Sequence, residues 1–464
     1  MKNNIVTLTD SYKITHHDMY PEGTETVYSY FEARNGAQFP YTVFFGLQYL
    51  IKEYLEGEVV TTEMIDRAEK FAAIHFGNAN LFKRERWDYI VREHGGRLPV
   101  CISAVAEGTV VPNSNVLMTI ENTDPKCWWL TNHLETLLCH VWSSSTVATL
   151  SFYTKEMIKK YLEKTCDQGA NFPGLGFMLH DFGMRGVSSM ESAGIEGAGH
   201  LVNFMGTDTV IAMEYAAEFY NASLEGLAYS VPATEHSIMT SLGKEGEEEV
   251  IENLLNKYPE GILSVVSDSF NIYNCVENIY GKKFKDKILA RNGKFVVRPD
   301  SGDPVSVVLE LLRMLYDSFG GTVNKKGYKV LNPKIGLLWG DGLDYMKIEE
   351  ILVAMEVRGW SAENIVFGMG GGLLQKINRD TQRFAFKSSA QMRNGVWYDV
   401  YKEPTDTSKK SKRGRLKLVK WGHLNYETTN YAGNGRDMLD KVFENGKITK
   451  EISFDEVRKN SLKN

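Results

Sequence analysis

The sequence predicts an α/β fold: an irregular (β/α) barrel of about seven parallel strands, joined to a second α+β domain built from both chain ends. Three observations lead there. After about residue 175, short apolar runs recur, and each ends in a polar or glycine-rich turn. Segments with apolar residues at helical spacing lie between several of these runs. Marker residues at the run ends, Asp181, Asp208, His236, Asp268, Asp300, Asp341 and Gly370, stand 27, 28, 32, 32, 41 and 29 residues apart. A strand with its returning helix needs ~30 residues.

The runs are 177–179 before His180 and Asp181, 262–266 before Ser267 and Asp268, and 295–297 before Arg298 and Asp300. Two more are 335–339 before Gly340 and Asp341, and 365–367 before the glycines at 368 and 370–372. Helices are expected at 208–220, 245–257, 305–318 and 345–356, with Asp303 as N-cap and Pro304 as first helical residue of the third. Residues 124–165 also read as mostly helical, with Trp128, Leu130, Leu134 and Leu138 on one buried face. The flanks lack this rhythm. The expected division is therefore 1–150 with 385–464 as one domain and 151–384 as the barrel; one barrel with long extensions is the alternative.

The 464 residues are ample for a large core. A net charge of −6 argues against a general nucleic-acid binder. The cysteines, Cys101, Cys127, Cys139, Cys166 and Cys275, are odd in number and form no CxxC pair, so neither a zinc site nor a disulfide framework is expected. Met1 to Asp10 has no apolar core of signal-peptide length, and no run reaches the ~18 apolar residues of a membrane span. The expected location is the cytoplasm.

Polar residues at the C-terminal ends of barrel strands mark the active site of such folds. Asp268, Asp300 and Asp341 fall at three successive ends. They could bind Mg²⁺ or ribose hydroxyls, or each could cap the next helix or close a turn. The glycines at 368 and 370–372 could admit a phosphate or form a plain turn; Leu373 breaks the dinucleotide fingerprint. Asp181-Phe182-Gly183 has the kinase metal triplet's letters without the other kinase loops, and Phe182 could stack on a planar ring or pack in the core. His236, beside Glu235, could be a nucleophile or base, or a structural histidine. Lys409, Lys410, Lys412, Arg413 and Arg415, with Arg379, Arg383 and Lys387 upstream, form either a phosphate funnel or a solvated face.

Taken together, these segments resemble the nicotinamide phosphoribosyltransferases, of the type II phosphoribosyltransferase class. The resemblance runs from Asp10-Ser11-Tyr12-Lys13 to Ser453-Phe454-Asp455-Glu456. It is carried by Tyr28-Ser29-Tyr30-Phe31-Glu32, His180-Asp181-Phe182-Gly183, Asn203-Phe204-Met205-Gly206-Thr207-Asp208-Thr209, Val265-Val266-Ser267-Asp268-Ser269, Arg298-Pro299-Asp300-Ser301-Gly302 and Gly370-Gly371-Gly372-Leu373-Leu374-Gln375-Lys376.

The resemblance implies transfer of phosphoribose from 5-phosphoribosyl 1-pyrophosphate to nicotinamide, in a homodimer with shared active sites. Phe182 and Tyr12 of the partner chain would sandwich the base, Asp208 would accept from its carboxamide, and Arg298 would donate to it. Gly340, Asp341, Gly370 and Gly371 would hold the ribose phosphate. Asp268 and Asp300 would face Mg²⁺, with Asp300 also on the ribose hydroxyls. Arg34, Arg379, Lys387, Lys402 and Lys410 would neutralise phosphates, with Arg185 nearby. ATP would phosphorylate His236, next to Glu235. An ionised Asp208 would repel nicotinic acid.

Met184, Ala385 and a short 35–41 connection depart from the family pattern. A nicotinate-preferring enzyme, a barrel aldolase or isomerase, and a non-catalytic binding protein are the competing readings. No Schiff-base lysine supports the second, and the retained His236, Asp268 and glycines oppose the third.

Overall fold

The computed structural model describes residues 4–403, 405 and 411–463. It divides into two compact units. One comprises Met1–Thr149, Tyr215–Ala222 and Ile377–Asn464, and the other Leu150–Glu214 and Ser223–Lys376. The later border falls at 376/377, where 384/385 was expected. The short piece Tyr215–Ala222, assigned to the barrel by its helical pattern, groups with the terminal unit.

The terminal unit is built on a seven-stranded sheet in which every adjacent pair is antiparallel. Its longest strands, Thr24–Glu32 and Ala385–Arg393, pair along their length, joining the two chain ends. Val27, Tyr30 and Phe31 are fully buried there. The helix Leu130–Cys139 buries Leu130, Leu134 and Leu138, the stripe its spacing required.

The other unit carries six parallel strands: β1 (Leu179–Asp181), β2 (Gly206–Thr207), β3 (Glu260–Val266), β4 (Asn292–Arg298), β5 (Ile335–Trp339) and β6 (Ile365–Met369). Their order in the sheet is β2-β1-β6-β5-β4-β3. The two edges are spanned by residues 229–234. Tyr229 bridges Gly206 of β2, and Ala233 bridges Ser264 of β3. The ring thereby runs in sequence order, with this segment in third place. It has no extended ladder because its hydrogen bonds are few: Pro232 has no N–H and offers only its carbonyl, which accepts from Ser264. The expectation of about seven parallel strands holds in this form.

Helices return the chain between strands: α1 (Met190–Leu201), α2 (Val210–Tyr220), α3 (Glu247–Lys257), α4 (Pro304–Phe319) and α5 (Tyr345–Val357). Asp303 caps α4 as expected, its carboxylate accepting from Ser306 N–H at 2.9 Å. Val308, Leu311, Leu312 and Leu315 on one face of α4 are fully buried. Among the described residues no helix is long and apolar enough to cross a membrane.

Candidate active site

At the C-terminal ends of the barrel strands lies a cleft of about 990 Å³. Its walls include Phe182, Arg185, Asp208, Glu235, Arg298, Asp300, Gly340, Asp341, Gly370 and Gly371, ten of the residues singled out from the sequence. They sit together because each lies at or just after the end of a strand or, for Glu235, of the bridging segment 229–234, where the chain leaves the sheet.

Phe182 follows β1 and donates its N–H to the Met369 carbonyl of β6 at 3.1 Å. Its ring lies over glycine backbone. A Cβ at Gly368 would stand 2.0 Å from Phe182 Cε2, and one at Gly340 would stand 3.2 Å away. Both glycines are therefore seats for the ring. The change Gly368→Ala is expected to displace it and to destabilise this unit by about 2 kcal/mol. An unaltered melting temperature would show that the ring finds another seat at no cost.

Asp208 follows β2 and is exposed to the cleft. Its Oδ1 accepts from the Ser230 hydroxyl at 2.6 Å. It does not begin a helix directly, since α2 starts at Val210 and the Thr207 hydroxyl accepts from Thr209 N–H at 2.9 Å. Opposite stands Arg298, whose Nη2 donates to the Thr234 carbonyl at 2.6 Å. Its Nε is buried without a partner. Burial pushes the guanidinium down from its ordinary value, while Asp300, Asp208 and Asp268 hold it up. Arg298 therefore places a cation in a cleft whose walls also carry the carboxylates of Asp208, Glu235, Asp300 and Asp341.

His236 begins a single helical turn, His236–Met239. Its Nε2 lies 3.0 Å from Asp268 Oδ1, and its Nδ1 lies 3.8 Å from Asp300 Oδ2. Asp268 also accepts from Asp300 N–H, at 3.2 Å, and from the Ser301 hydroxyl. Asp268 is almost wholly spent on holding its neighbours, whereas Asp300 lines the cleft. Burial raises the Asp300 carboxyl above its ordinary value; Arg298 opposes this and Asp268 adds to it. None of Asp268, Asp300 and Asp341 caps a helix. Those duties fall to Asn271, Asp303 and Asp344, so the capping alternative fails for all three.

The glycine run does not build a long helix. It forms one turn, Gly371–Leu374, in which a Cβ at Gly372 would meet the Leu343 carbonyl at 2.1 Å. Gly372 is thus required by close approach of the chain after β5, while Gly370 and Gly371 line the cleft.

The basic residues expected on phosphates lie in the terminal unit, and most cluster there. Lys387 is near Glu32, Arg34, Lys402 and Lys412. Lys412 pairs with buried Glu32, and the Lys387 ammonium is buried without a partner. Burial pushes Lys387 down, with Glu32 opposing and the three other cations reinforcing. One carboxylate among four cations leaves a net charge that an anion would balance. Arg379 stands elsewhere in this unit, beside Glu135 and Cys139. Tyr12 is exposed, edge-on to His16 at 4.9 Å. Lys409 and Lys410 lie outside the described residues.

Sequence reasoning missed Ser230 and Thr234, which hold Asp208 and Arg298. Their segment has no apolar run to announce it. Lys412 was among the candidates for a phosphate funnel by its charge run, but the family resemblance did not name it.

A model of the nicotinate phosphoribosyltransferase family matches residues 177–447, and one of the nicotinamide phosphoribosyltransferase N-terminal domain matches residues 4–102. In solved structures the fold resembles a nicotinate-nucleotide pyrophosphorylase from Pyrococcus furiosus, with a TM-score of 0.61 at 16% identity over 100% of this chain and 96% of that one. It also resembles human nicotinic acid phosphoribosyltransferase, with a TM-score of 0.56 at 15% identity over 98% and 93%. The fold and the matched models define the chain as a phosphoribosyltransferase, an enzyme that transfers a pentosyl group. A Xanthomonas campestris pv. campestris protein described as nicotinamide phosphoribosyltransferase is 44% identical over 98% of this chain and 97% of its own length. One from Acinetobacter baylyi with the same description is 34% identical over 97% and 95%. The chain belongs to the nicotinamide phosphoribosyltransferase family.

Proposed function

We propose that the enzyme transfers phosphoribose from 5-phosphoribosyl 1-pyrophosphate to nicotinamide, releasing pyrophosphate and nicotinamide mononucleotide for NAD salvage. It couples this to ATP hydrolysis through a phosphohistidine at His236, and works as a homodimer with shared sites in the cytoplasm. The observation that carries the reading is the 44% identity, over nearly the full length of both chains, to a relative described by that activity.

The cleft's chemistry supports the base. Phe182 offers an aromatic face, Asp208 an acceptor for the carboxamide NH₂, and the Arg298 guanidinium a donor for its carbonyl. Tyr12 of the second copy would supply the other face of the sandwich. Asp300 would take ribose hydroxyls, Gly340, Asp341, Gly370 and Gly371 the 5-phosphate, and Arg185 would lie alongside. Arg34, Lys387, Lys402, Lys410 and Arg379 would neutralise phosphates.

Asp300 and Asp268 suit a hard cation such as Mg²⁺, because both are carboxylates at neighbouring strand ends. Asp300 is the freer donor, as Asp268 is engaged with His236, Asp300 N–H and Ser301. When bound with pyrophosphate, the ion supplies charge neutralisation. The chain's own residues position the pyridine nitrogen for attack on C1 of the ribose as pyrophosphate departs with the bonding pair. Most of the acceleration comes from that alignment and from fixed charge. In the ATP step, Asp268 on Nε2–H leaves the Nδ1 lone pair to attack the γ-phosphorus, and ADP leaves. Glu235, next in the chain, accepts from the Ser237 hydroxyl at the mouth of this turn.

The test is product formation with phosphoribosyl pyrophosphate and Mg²⁺, offering nicotinamide and nicotinic acid separately, with and without ATP. Product from the amide alone, faster with ATP, is expected. Product from the acid instead would overturn the role of Asp208, and product from neither would overturn the reading. The change Asp208→Asn removes the charge that excludes the acid and is expected to narrow the preference for the amide by about tenfold or more. An unchanged ratio of kcat/KM values would place selectivity elsewhere.

A further inference from the structure

Asp181 is a carboxylate that the proposed chemistry does not use. It ends β1, is fully buried, and does not line the cleft. Yet it touches both elements that would hold the base. Its Oδ1 accepts from Gly183 N–H at 2.7 Å, closing a turn around Phe182. Its backbone carbonyl accepts from Asp208 N–H at 2.9 Å. Its Oδ2 is buried and faces the Thr209 side chain, the polar group that lowers its carboxyl alongside Gly183 N–H. Both lie over Gly197 of α1, where an added Cβ would stand 3.3 Å from Asp181 Oδ2 and 3.2 Å from Thr209 Cγ2.

A fully buried carboxylate is costly, and neutral packing would serve stability better. What this residue supplies in return is geometry. The Phe182 turn otherwise hangs on one main-chain bond to Met369 and on the glycine seats beneath the ring. The Gly183 contact fixes the ring's other flank, and the carbonyl contact fixes Asp208 relative to it. We infer that Asp181 is a positioning residue for the base: it sets the spacing between the Phe182 ring and the Asp208 carboxylate without touching the ligand. This rests on the reading that Phe182 and Asp208 bind nicotinamide.

The feature required is an acceptor at Oδ1, and a negative charge is dispensable. Asparagine keeps that acceptor and adds a donor for Thr209; alanine and leucine keep neither. The experiment is steady-state kinetics of the full chain with each substrate varied in turn, for Asp181→Ala, Asp181→Asn and Phe182→Ala, with melting temperatures alongside. Asp181→Ala is expected to raise the KM for nicotinamide about tenfold, the scale of one lost buried hydrogen bond. The KM for phosphoribosyl pyrophosphate and kcat should stay near wild type, and Asp181→Asn should restore the nicotinamide KM. Should the alanine variant not fold, Asp181→Leu fills the same volume without an acceptor and is expected to behave as alanine would.

An unchanged nicotinamide KM in the alanine or leucine variant would overturn the inference. So would an asparagine variant as impaired as alanine, or a joint loss in both KM values and kcat. If Phe182→Ala leaves the nicotinamide KM unaltered, the base site itself is misassigned. If Phe182→Ala raises it and the Asp181 variants do not, only the role of Asp181 falls.

Discussion

Replacing His236 with alanine is expected to lower ATP hydrolysis by more than ~100-fold while leaving ATP-independent nicotinamide mononucleotide formation measurable. The split follows from where His236 stands. It contacts Asp268 and approaches Asp300, but it is not among the residues lining the cleft where Phe182, Asp208 and Arg298 converge. The bond between sugar and pyridine needs no protein nucleophile, whereas a phosphohistidine cannot form without the imidazole. ADP release and mononucleotide formation, measured on the same preparation, separate the two. Hydrolysis at the normal rate would show that water or another group takes the phosphoryl group, and the role of His236 would be withdrawn. Loss of both activities together would make His236 part of the transfer step.

The second large effect concerns stability. Asp181→Asn is expected to stabilise the barrel unit at pH 7 to 8 by up to about 3 kcal/mol. Burial pushes the Asp181 carboxyl from 3.8 up to about 6; Gly183 N–H and Thr209 oppose this, and the charge on Asp208 adds to it. Below pH 3.8 the carboxyl is neutral in the folded and the unfolded chain, and its neutral form costs nothing extra. As pH rises from there to about 6, the unfolded chain ionises while the folded one resists, so native stability falls. Above about 6 the full penalty stands. The variant's advantage in melting temperature should therefore be largest at neutral pH and fade on acidification toward pH 4. A constant advantage across that range would mean that packing, and not charge, is being relieved. With the kinetic expectation for the same variant, asparagine would be both active and more stable.

Much of the barrel was legible because a buried parallel strand is a short apolar run that ends where chemistry begins. Four runs, 262–266, 295–297, 335–339 and 365–367, lie within β3 to β6. The run 177–179 was less accurate: β1 begins at Leu179, and residues Leu175–Phe177 form a helical turn. β2 has only two residues, too few to show a pattern, and was located by the markers around it. The aspartates illustrate a different limit. Spacing placed Asp268, Asp300 and Asp341 at strand ends, but it could not decide between capping and cleft. Capping by Asn271, Asp303 and Asp344 removes the first alternative, and Asp300 and Asp341 line the cleft while Asp268 is engaged with His236, Asp300 N–H and Ser301. Lys387 meets Glu32 and Arg34 through pairing of strands from opposite chain ends, with Lys402 and Lys412 also near it, a relation that no local window contains. The assignments of Tyr12, of nicotinamide as the base and of ATP came from family resemblance alone.

The third stave of the barrel has the weakest backbone attachment and the heaviest duties. Residues 229–234 are fastened by one bridge on each side, yet Ser230 steadies Asp208, Thr234 steadies Arg298, and the chain then runs directly into Glu235 and His236. The two contacts are spread along this strip: Thr234, on Arg298, stands close to His236, and Ser230, on Asp208, stands near the strip's far end. Under the proposed phosphorylation of His236, this strip is a direct covalent route from the histidine to both contacts, and a disturbance at position 236 would meet the one to Arg298 before the one to Asp208.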